Sequence, residues 1–199
     1  MTAPVFDRIY RSNAWHGVES RSGPGSGSAS TCRVAEELVQ LVAELCVTSV
    51  LDAACGDGFW MPDLPGYVGV DVSAEAIRIA RSRHPERRYI VGDLATLPLP
   101  RCELVFTRDA MQHLSLHDAA TALASIRATM PRWLLASTYV GGVNRDIPTG
   151  SYFEPDLTAE PFGLGEPDRL IFDGWSWERP VTVRDPRKHL GLWRLDDRA

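Results

Sequence analysis

The sequence predicts an α/β protein in which parallel strands are joined by crossover helices and two further strands close the chain. Three observations carry that prediction. Between about residues 31 and 139, short apolar runs alternate with segments of helical periodicity. The stretch SVLDAACGDGFWM, residues 49–61, passes from a strand-like run through an acid into a glycine turn. After residue 140 the helical signal stops, prolines punctuate the chain, and two short apolar runs remain.

Taken in order, an N-terminal segment bearing Phe6, Tyr10 and Trp15 leads into SRSGPGSGSAS at residues 20–30, which has the composition of a flexible linker. Thr31 is placed to cap a helix over CRVAEELVQLVAEL, where Val34, Leu38, Leu41, Val42 and Leu45 recur at helical spacing. SVLDA and GYVGVD read as strands, and SAEAIRIARSRH as a helix capped by Ser73. RYIVGD and CELVFTR are strands, SLHDAATALASIRATM is a helix, and RWLLAST is a strand. RLIFD and KHLGLWRL supply the last two. Such alternation makes consecutive strands parallel.

Bulk properties narrow the class. A chain of 199 residues supports one sizeable core and would be cramped as two domains. No apolar run approaches the roughly 20 residues that span a bilayer. The start, MTAPVFDRIYRSNAW, lacks the basic and apolar parts of a secretory signal, so a cytoplasmic location is expected, with no membrane partner. Cys32, Cys46, Cys55 and Cys102 show no metal-type spacing; Cys55 lies in the glycine turn, and the other three are expected as small buried side chains. The net charge of −5 offers no broad attraction to nucleic acid, and none is expected as a partner. The crowded Arg78, Arg81, Arg83, Arg87 and Arg88 read as a solvated outer face opposite Ile77, Ile79 and Ala80.

The glycine turn separates two ligand classes. A dinucleotide site wants a third glycine where helix and strand pack, but Gly56-x-Gly58-x-x leads to Met61. Pro62 and Pro65 also leave little room for a helix whose N-terminus would face a pyrophosphate. That favours a ligand without phosphates.

The ordered set of Asp52 through Gly58, Asp71 ending YVGVD, Asp93 of VGDLATLP and the segment CELVFTRDAMQHL resembles the class I S-adenosylmethionine-dependent methyltransferases over about residues 49–139. The resemblance implies a Rossmann-like, seven-stranded, mostly parallel sheet with an antiparallel C-terminal strand, flanked by helices. It implies S-adenosylmethionine as cofactor, with the Asp71 carboxylate on the ribose hydroxyls, Asp93 on the adenine amino group and Leu94 against the ring. Asp52, Ala54, Cys55, Gly56, Gly58, Trp60 and Val72 are the expected neighbours of the same ligand. Ala54 departs from the pattern, since many members carry glycine there. SRSGPGS, CGDGFWM, RDAMQHLS, NRDIPTGSY, PFGLGEP and LGLW together are similar to short bacterial methyltransferases of polysaccharide and specialised-metabolite type. In that likeness residues 1–30 are a lid bringing Trp15, Arg21 and Ser22 to the cofactor, and residues 31–199 are the Rossmann-like domain, with a substrate loop at about 140–168.

Methyl transfer to a hydroxyl needs alignment, exclusion of water and a base. His113 follows the fourth strand on the sheet edge where α/β proteins bind ligands, which makes it the candidate base; packing against the cofactor is its alternative role. Arg108 and Asp109 on the same turn are expected to grip the cofactor's methionine end or a substrate, or to pair with each other. His117 lies four residues beyond His113, but Ser115 starts a new helix between them, and no metal site is expected. Asn144, Asp146 and Tyr152 are expected to border the acceptor together with His113. The function expected is O-methylation of a sugar or natural-product hydroxyl by a monomer or homodimer. The alternatives are N- or carboxyl-methylation of a specialised metabolite or peptide, and non-catalytic S-adenosylmethionine binding within an assembly.

Overall fold

The computed structural model describes residues 2–174 and 185–196 of the chain, so residues 175–184 and 197–199 of the expected second domain lie outside the described residues. Among the described residues seven strands form one sheet: β1 (Val50–Ala53), β2 (Val68–Asp71), β3 (Arg88–Val91), β4 (Leu104–Thr107), β5 (Trp133–Tyr139), β6 (Arg169–Phe172) and β7 (Lys188–Arg194). Their order is β3-β2-β1-β4-β5-β7-β6. β1 to β5 pair in parallel, whereas β7 runs antiparallel to both β5 and β6. The expected Rossmann-like sheet with an antiparallel final strand is therefore the sheet observed. Its topological switch lies between β1 and β4, where the loops after both strands open a crevice.

Among the described residues four α-helices accompany the sheet: α1 (Ala3–Ser12), α2 (Ser28–Glu44), α3 (Ala74–Arg83) and α4 (Leu116–Ala128). Ser73 caps α3 by accepting from the Ala76 N–H, and Ser115 caps α4 by accepting from the Asp118 N–H. α2 starts earlier than its sequence pattern suggested. Gly27 occupies its cap position, and Thr31 is an interior residue whose hydroxyl donates to the Gly27 carbonyl. α1 has a local basis too: Pro4 opens it, and Phe6, Ile9 and Tyr10 form one buried face.

Two apolar layers cover the sheet. On one face α2 and α3 bury Val34, Leu38, Leu41, Ile77 and Ala80, each such leucine or isoleucine contributing about 1.5–3 kcal/mol. On the other, α4 buries Ala119, Ala122, Leu123 and Ile126 beside Trp193. The long connection from β5 to β6 completes this second layer without a helix, through Ile147, Phe153, Leu157, Phe162 and Leu164. Much of the expected substrate loop is thus core.

Two surface expectations fail. Cys32 and Cys46 are exposed rather than buried: the first lies on the outer side of α2 and the second on a left-handed residue after its end, at φ 52°. The arginine stretch is not uniformly solvated either. The Arg87 side chain is only 9% exposed, lies over the Tyr67 ring and donates to the Met61 carbonyl. Among the described residues no helix is long and apolar enough to cross a membrane.

Candidate active site

The loops after β1, β2, β3 and β4 converge on one cleft of about 570 Å³, a volume suited to a small ligand. Its floor is the glycine turn. Gly56 sits at φ 58°, where a Cβ would collide with the Ser22 hydroxyl and stand 2.9 Å from that of Tyr10. Only glycine suits such a bend and approach. The Gly56 N–H donates to Asp71 Oδ2 at 2.9 Å, and the Ser73 N–H to Asp71 Oδ1 at 2.8 Å. The turn after β1 is thereby fixed to the end of β2. Burial raises the Asp71 carboxyl to about 6 against the pull of these two donors. Asp52, beneath it, accepts from the Tyr67 hydroxyl at 2.8 Å and is pushed by burial to about 7.

The N-terminal segment roofs the cleft. The Thr2 hydroxyl donates to Asp93, the Ser73 hydroxyl donates to Asp7 of α1, and the Tyr10 hydroxyl meets that of Ser22 at 2.9 Å. With the Asp57 N–H donating to the Ser22 hydroxyl at 3.3 Å, the loops after three successive strands are each tied to residues 2–22.

The far wall carries a closed set of charges. The Arg108 guanidinium, fully buried, donates twice to Asp173 at 2.9 Å and once to the Gly25 carbonyl at 3.0 Å. Lys188 reaches Asp109 at 2.8 Å and Asp173 at 3.0 Å, and Arg108 stands 3.3 Å from Asp109. Two cations thus meet two carboxylates. Burial opposes the charges of Asp109 and Arg108, yet Lys188 and Arg108 hold the Asp109 carboxyl below its ordinary range, and Asp173 and Asp109 keep Arg108 ionised.

Beside this wall stands His113. Its Nδ1 lies 2.8 Å from the Ser151 carbonyl, which only accepts, so Nδ1 carries the hydrogen and Nε2 is the acceptor of the neutral ring. Burial lowers its pKa, outweighing the Ser151 carbonyl and the Asp109 charge. The Trp15 indole covers the imidazole, ring centroids 4.9 Å apart at 33°, and the Tyr152 ring lies 5.9 Å away. The cleft therefore offers a neutral nitrogen base shielded by an aromatic cover.

Residues 50–131 match the methyltransferase domain family. These residues make up less than half of the chain. Over 68 residues it is 37% identical to the malonyl-[acyl-carrier protein] O-methyltransferase of Pectobacterium atrosepticum, a stretch covering 32% of this chain. The chain spans only about a quarter, 27%, of that curated relative. Among solved structures, magnesium protoporphyrin IX methyltransferase from Synechocystis PCC 6803 with bound S-adenosylhomocysteine superposes with a TM-score of 0.62 at 15% identity, covering 96% of this chain and 94% of that one. Human N-acetylserotonin methyltransferase with S-adenosylmethionine gives a TM-score of 0.61 at 16% identity, over 96% of this chain and 58% of that one. At these identities the likeness is one of fold.

The cleft gathers most of the residues singled out from the sequence. Asp52, Ala54, Cys55, Gly56, Gly58 and Trp60 line the cleft from the first loop. Asp71 and Val72 line it from the second, and Asp93 and Leu94 from the third. Arg108, Asp109 and His113 follow β4, with Trp15, Ser22 and Tyr152 above them. Three residues stand elsewhere. The Arg21 guanidinium turns to the carbonyls of Tyr10 and Arg11 at the end of α1, leaving only its backbone N–H on Asp57. Asn144 donates to the carbonyls of Asp156 and Glu160, and Asp146 accepts from the Leu116 N–H at the start of α4. Asn144 thus ties the long loop to itself and Asp146 ties it to α4, because a connection without helix or strand must find partners for its backbone.

The cleft also holds residues not singled out from the sequence: Thr2, Phe6 and Tyr10 of the N-terminal segment, Asp57, Gln112, Tyr139, Asp173 and Lys188. The signal for the first group was present in the spacing of Phe6 and Tyr10 behind Pro4. Lys188 is the chain's only lysine among 21 lysines and arginines, a compositional oddity that marks it.

Proposed function

We propose that the chain is an S-adenosylmethionine-dependent methyltransferase acting on a hydroxyl of a small molecule, a sugar or natural product. The carrying observation is the neutral His113 imidazole, its Nδ1 hydrogen spent on Ser151, set in one cleft with the glycine turn and Asp71. The residues fit the cofactor. Gly56 lets the turn pack closely beneath Ser22 and Tyr10, and Asp71 at the end of β2 and Asp93 two residues past β3 both line the cleft, carboxylates suited to accept ribose and adenine hydrogens. When bound, S-adenosylmethionine supplies an activated methyl group, so the protein's part is placement and proton removal.

Nε2 of His113 accepts the proton of the acceptor hydroxyl as its oxygen becomes nucleophilic. Trp15 and the segment up to Gly27 exclude water, acting as the lid, and Tyr152 contributes the acceptor-side wall. Asn144 and Asp146 act through the loop they brace rather than by touching substrate.

A carboxylate acceptor is the second reading, favoured by the likeness to the malonyl-[acyl-carrier protein] enzyme. Against it, Arg108 and Lys188 are already matched by Asp109 and Asp173, which leaves no net positive charge to receive an anion. Calorimetry with S-adenosylhomocysteine, followed by its release from S-adenosylmethionine across a panel of sugars, phenols and carboxylic acids, tests both readings. Binding plus hydroxyl-dependent release that is lost in His113→Ala, with binding kept, is the expected result. Absence of binding overturns the cofactor assignment, and unchanged turnover in His113→Ala overturns the base.

A further inference from the structure

Two hydroxyls and an amide run in a line that ends at His113. The Tyr152 hydroxyl stands 3.0 Å from that of Tyr139, which stands 3.4 Å from Gln112 Oε1. Gln112 Nε2 lies 3.4 Å from His113 Nε2. The Ser151 carbonyl fixes the direction of the whole line, by assignment from each atom's partners. With the hydrogen on Nδ1, Nε2 is an acceptor, so the Gln112 amide meets it with its nitrogen. The amide oxygen then accepts from Tyr139, and Tyr139 accepts from Tyr152.

Each of these groups is reversible. Nε2 has one lone pair, so an acceptor hydroxyl takes the place of the Gln112 N–H there; as Nε2 takes its proton, the O–H bond breaks, an N–H bond forms, and the electron pair stays on the oxygen. The imidazolium then donates from both nitrogens. A half-turn of the Gln112 amide presents Oε1 to the new N–H, and its nitrogen donates to Tyr139, which donates in turn to Tyr152. Hydrogen bonds to an ionised group are stronger than those between neutral ones, so the reversed line steadies the charged ring.

We infer that Gln112, Tyr139 and Tyr152 are positioning residues: a hydrogen-bond line that holds His113 as the Nδ1–H tautomer and inverts to accept its Nε2–H after proton transfer. The inference rests on His113 being the base. Holding the loop in place is a task already met by main-chain bonds, since the Gly150 N–H donates to the His113 carbonyl at 2.7 Å and the Phe153 N–H to that of Gln112 at 3.0 Å. Around the imidazole, Asp109 after β4 favours the charged form and Lys188 of β7 opposes it. Tyr139 of β5 and Tyr152 of the loop are the hydroxyls of the line, both with pKa raised by burial. Trp15 covers the ring without titrating.

The test needs no acceptor. Imidazole nitrogen shifts of His113 are followed by NMR against pH in protein saturated with S-adenosylhomocysteine. The wild type is expected as the Nδ1–H tautomer. Gln112→Leu, which removes the acceptor for Nε2–H, is expected to titrate about one pH unit lower. Tyr139→Phe, which keeps the ring and its packing, is expected to shift the same way by less. Gln112→Glu, with a carboxylate beside Nε2, is expected to shift the midpoint upward. Unchanged tautomer and midpoints in Gln112→Leu and Tyr139→Phe overturn the inference. If they are unchanged while His113→Ala still abolishes turnover, the line fails and the base stands; if His113→Ala is fully active, the base itself fails.

Discussion

The Ser20 hydroxyl reaches across 37 residues of chain to donate to Asp57 Oδ1 at 2.8 Å. The same carboxylate accepts from the Arg21 N–H at 2.9 Å and stands 3.7 Å from the Arg83 guanidinium. One buried acid in the glycine turn therefore anchors the segment that a reading by composition treats as a linker. Asp57→Ala is expected to release it. Hydrogen exchange of the Arg21 and Ser22 amides should accelerate, and S-adenosylhomocysteine should bind about tenfold more weakly by calorimetry, the equivalent of one charged hydrogen bond. Unchanged exchange would mean that the other ties to residues 2–22 suffice.

Asp52 makes folding depend on pH in a direction opposite to ordinary carboxylates. Burial raises it from 3.8 to about 7, so between these values the folded chain keeps a proton that the unfolded chain gives up. Its contribution is fully present at low pH, declines as pH rises through that window, and is level above it. Asp52→Asn leaves Tyr67 an acceptor but has no proton to lose. The variant should gain on the wild type between about pH 4 and pH 7, by roughly 4 kcal/mol in urea unfolding. A difference independent of pH would remove the buried titration.

Asp173 is the carboxylate on which both cations of the far wall rely. Asp173→Ala leaves the buried Arg108 with Asp109 alone and should cost about 3 kcal/mol, read as a fall in the urea midpoint. The double variant Asp173→Leu with Arg108→Met should recover much of that loss, because the penalty comes from an unmatched buried charge. Equal losses in the single and double variants would assign the effect to packing.

The glycine-turn side of the cleft was legible because it is local. A strand, an acid and a glycine turn lie within ten residues, Asp71 ends β2, and Asp93 follows β3 by two residues. The far wall was not, because its parts meet only through the sheet: β7 returns antiparallel between β5 and β6, bringing Lys188 at its start and Asp173 just past β6 to Arg108 and Asp109, residues 65 to 79 positions away. Asn144 and Asp146 have the composition of a binding loop, but that loop doubles as a layer of the core and uses its polar side chains on itself. α1 was missed although Pro4, Phe6, Ile9 and Tyr10 spell an amphipathic turn, since ten residues make a weak pattern without the aromatic shelf they cover. The exposed Cys32 and Cys46 show the reverse error, in which an average tendency of a residue type outran its place on α2.

Ala54 is where the sequence departs from the glycine of its resemblance, and the backbone registers it. The residue sits at φ 71°, the left-handed region, with its N–H donating to the Val70 carbonyl at 2.9 Å. An L side chain there costs about 1–2 kcal/mol, and glycine gives back somewhat less through its greater freedom in the unfolded chain. Ala54→Gly should therefore stabilise the protein by up to about 1 kcal/mol and raise its melting temperature by a few degrees, with cofactor binding retained. Ala54→Val, β-branched at a positive φ, should lose more than about 1 kcal/mol. A melting temperature that falls in Ala54→Gly would show that packing of the Ala54 methyl, rather than backbone strain, governs the turn.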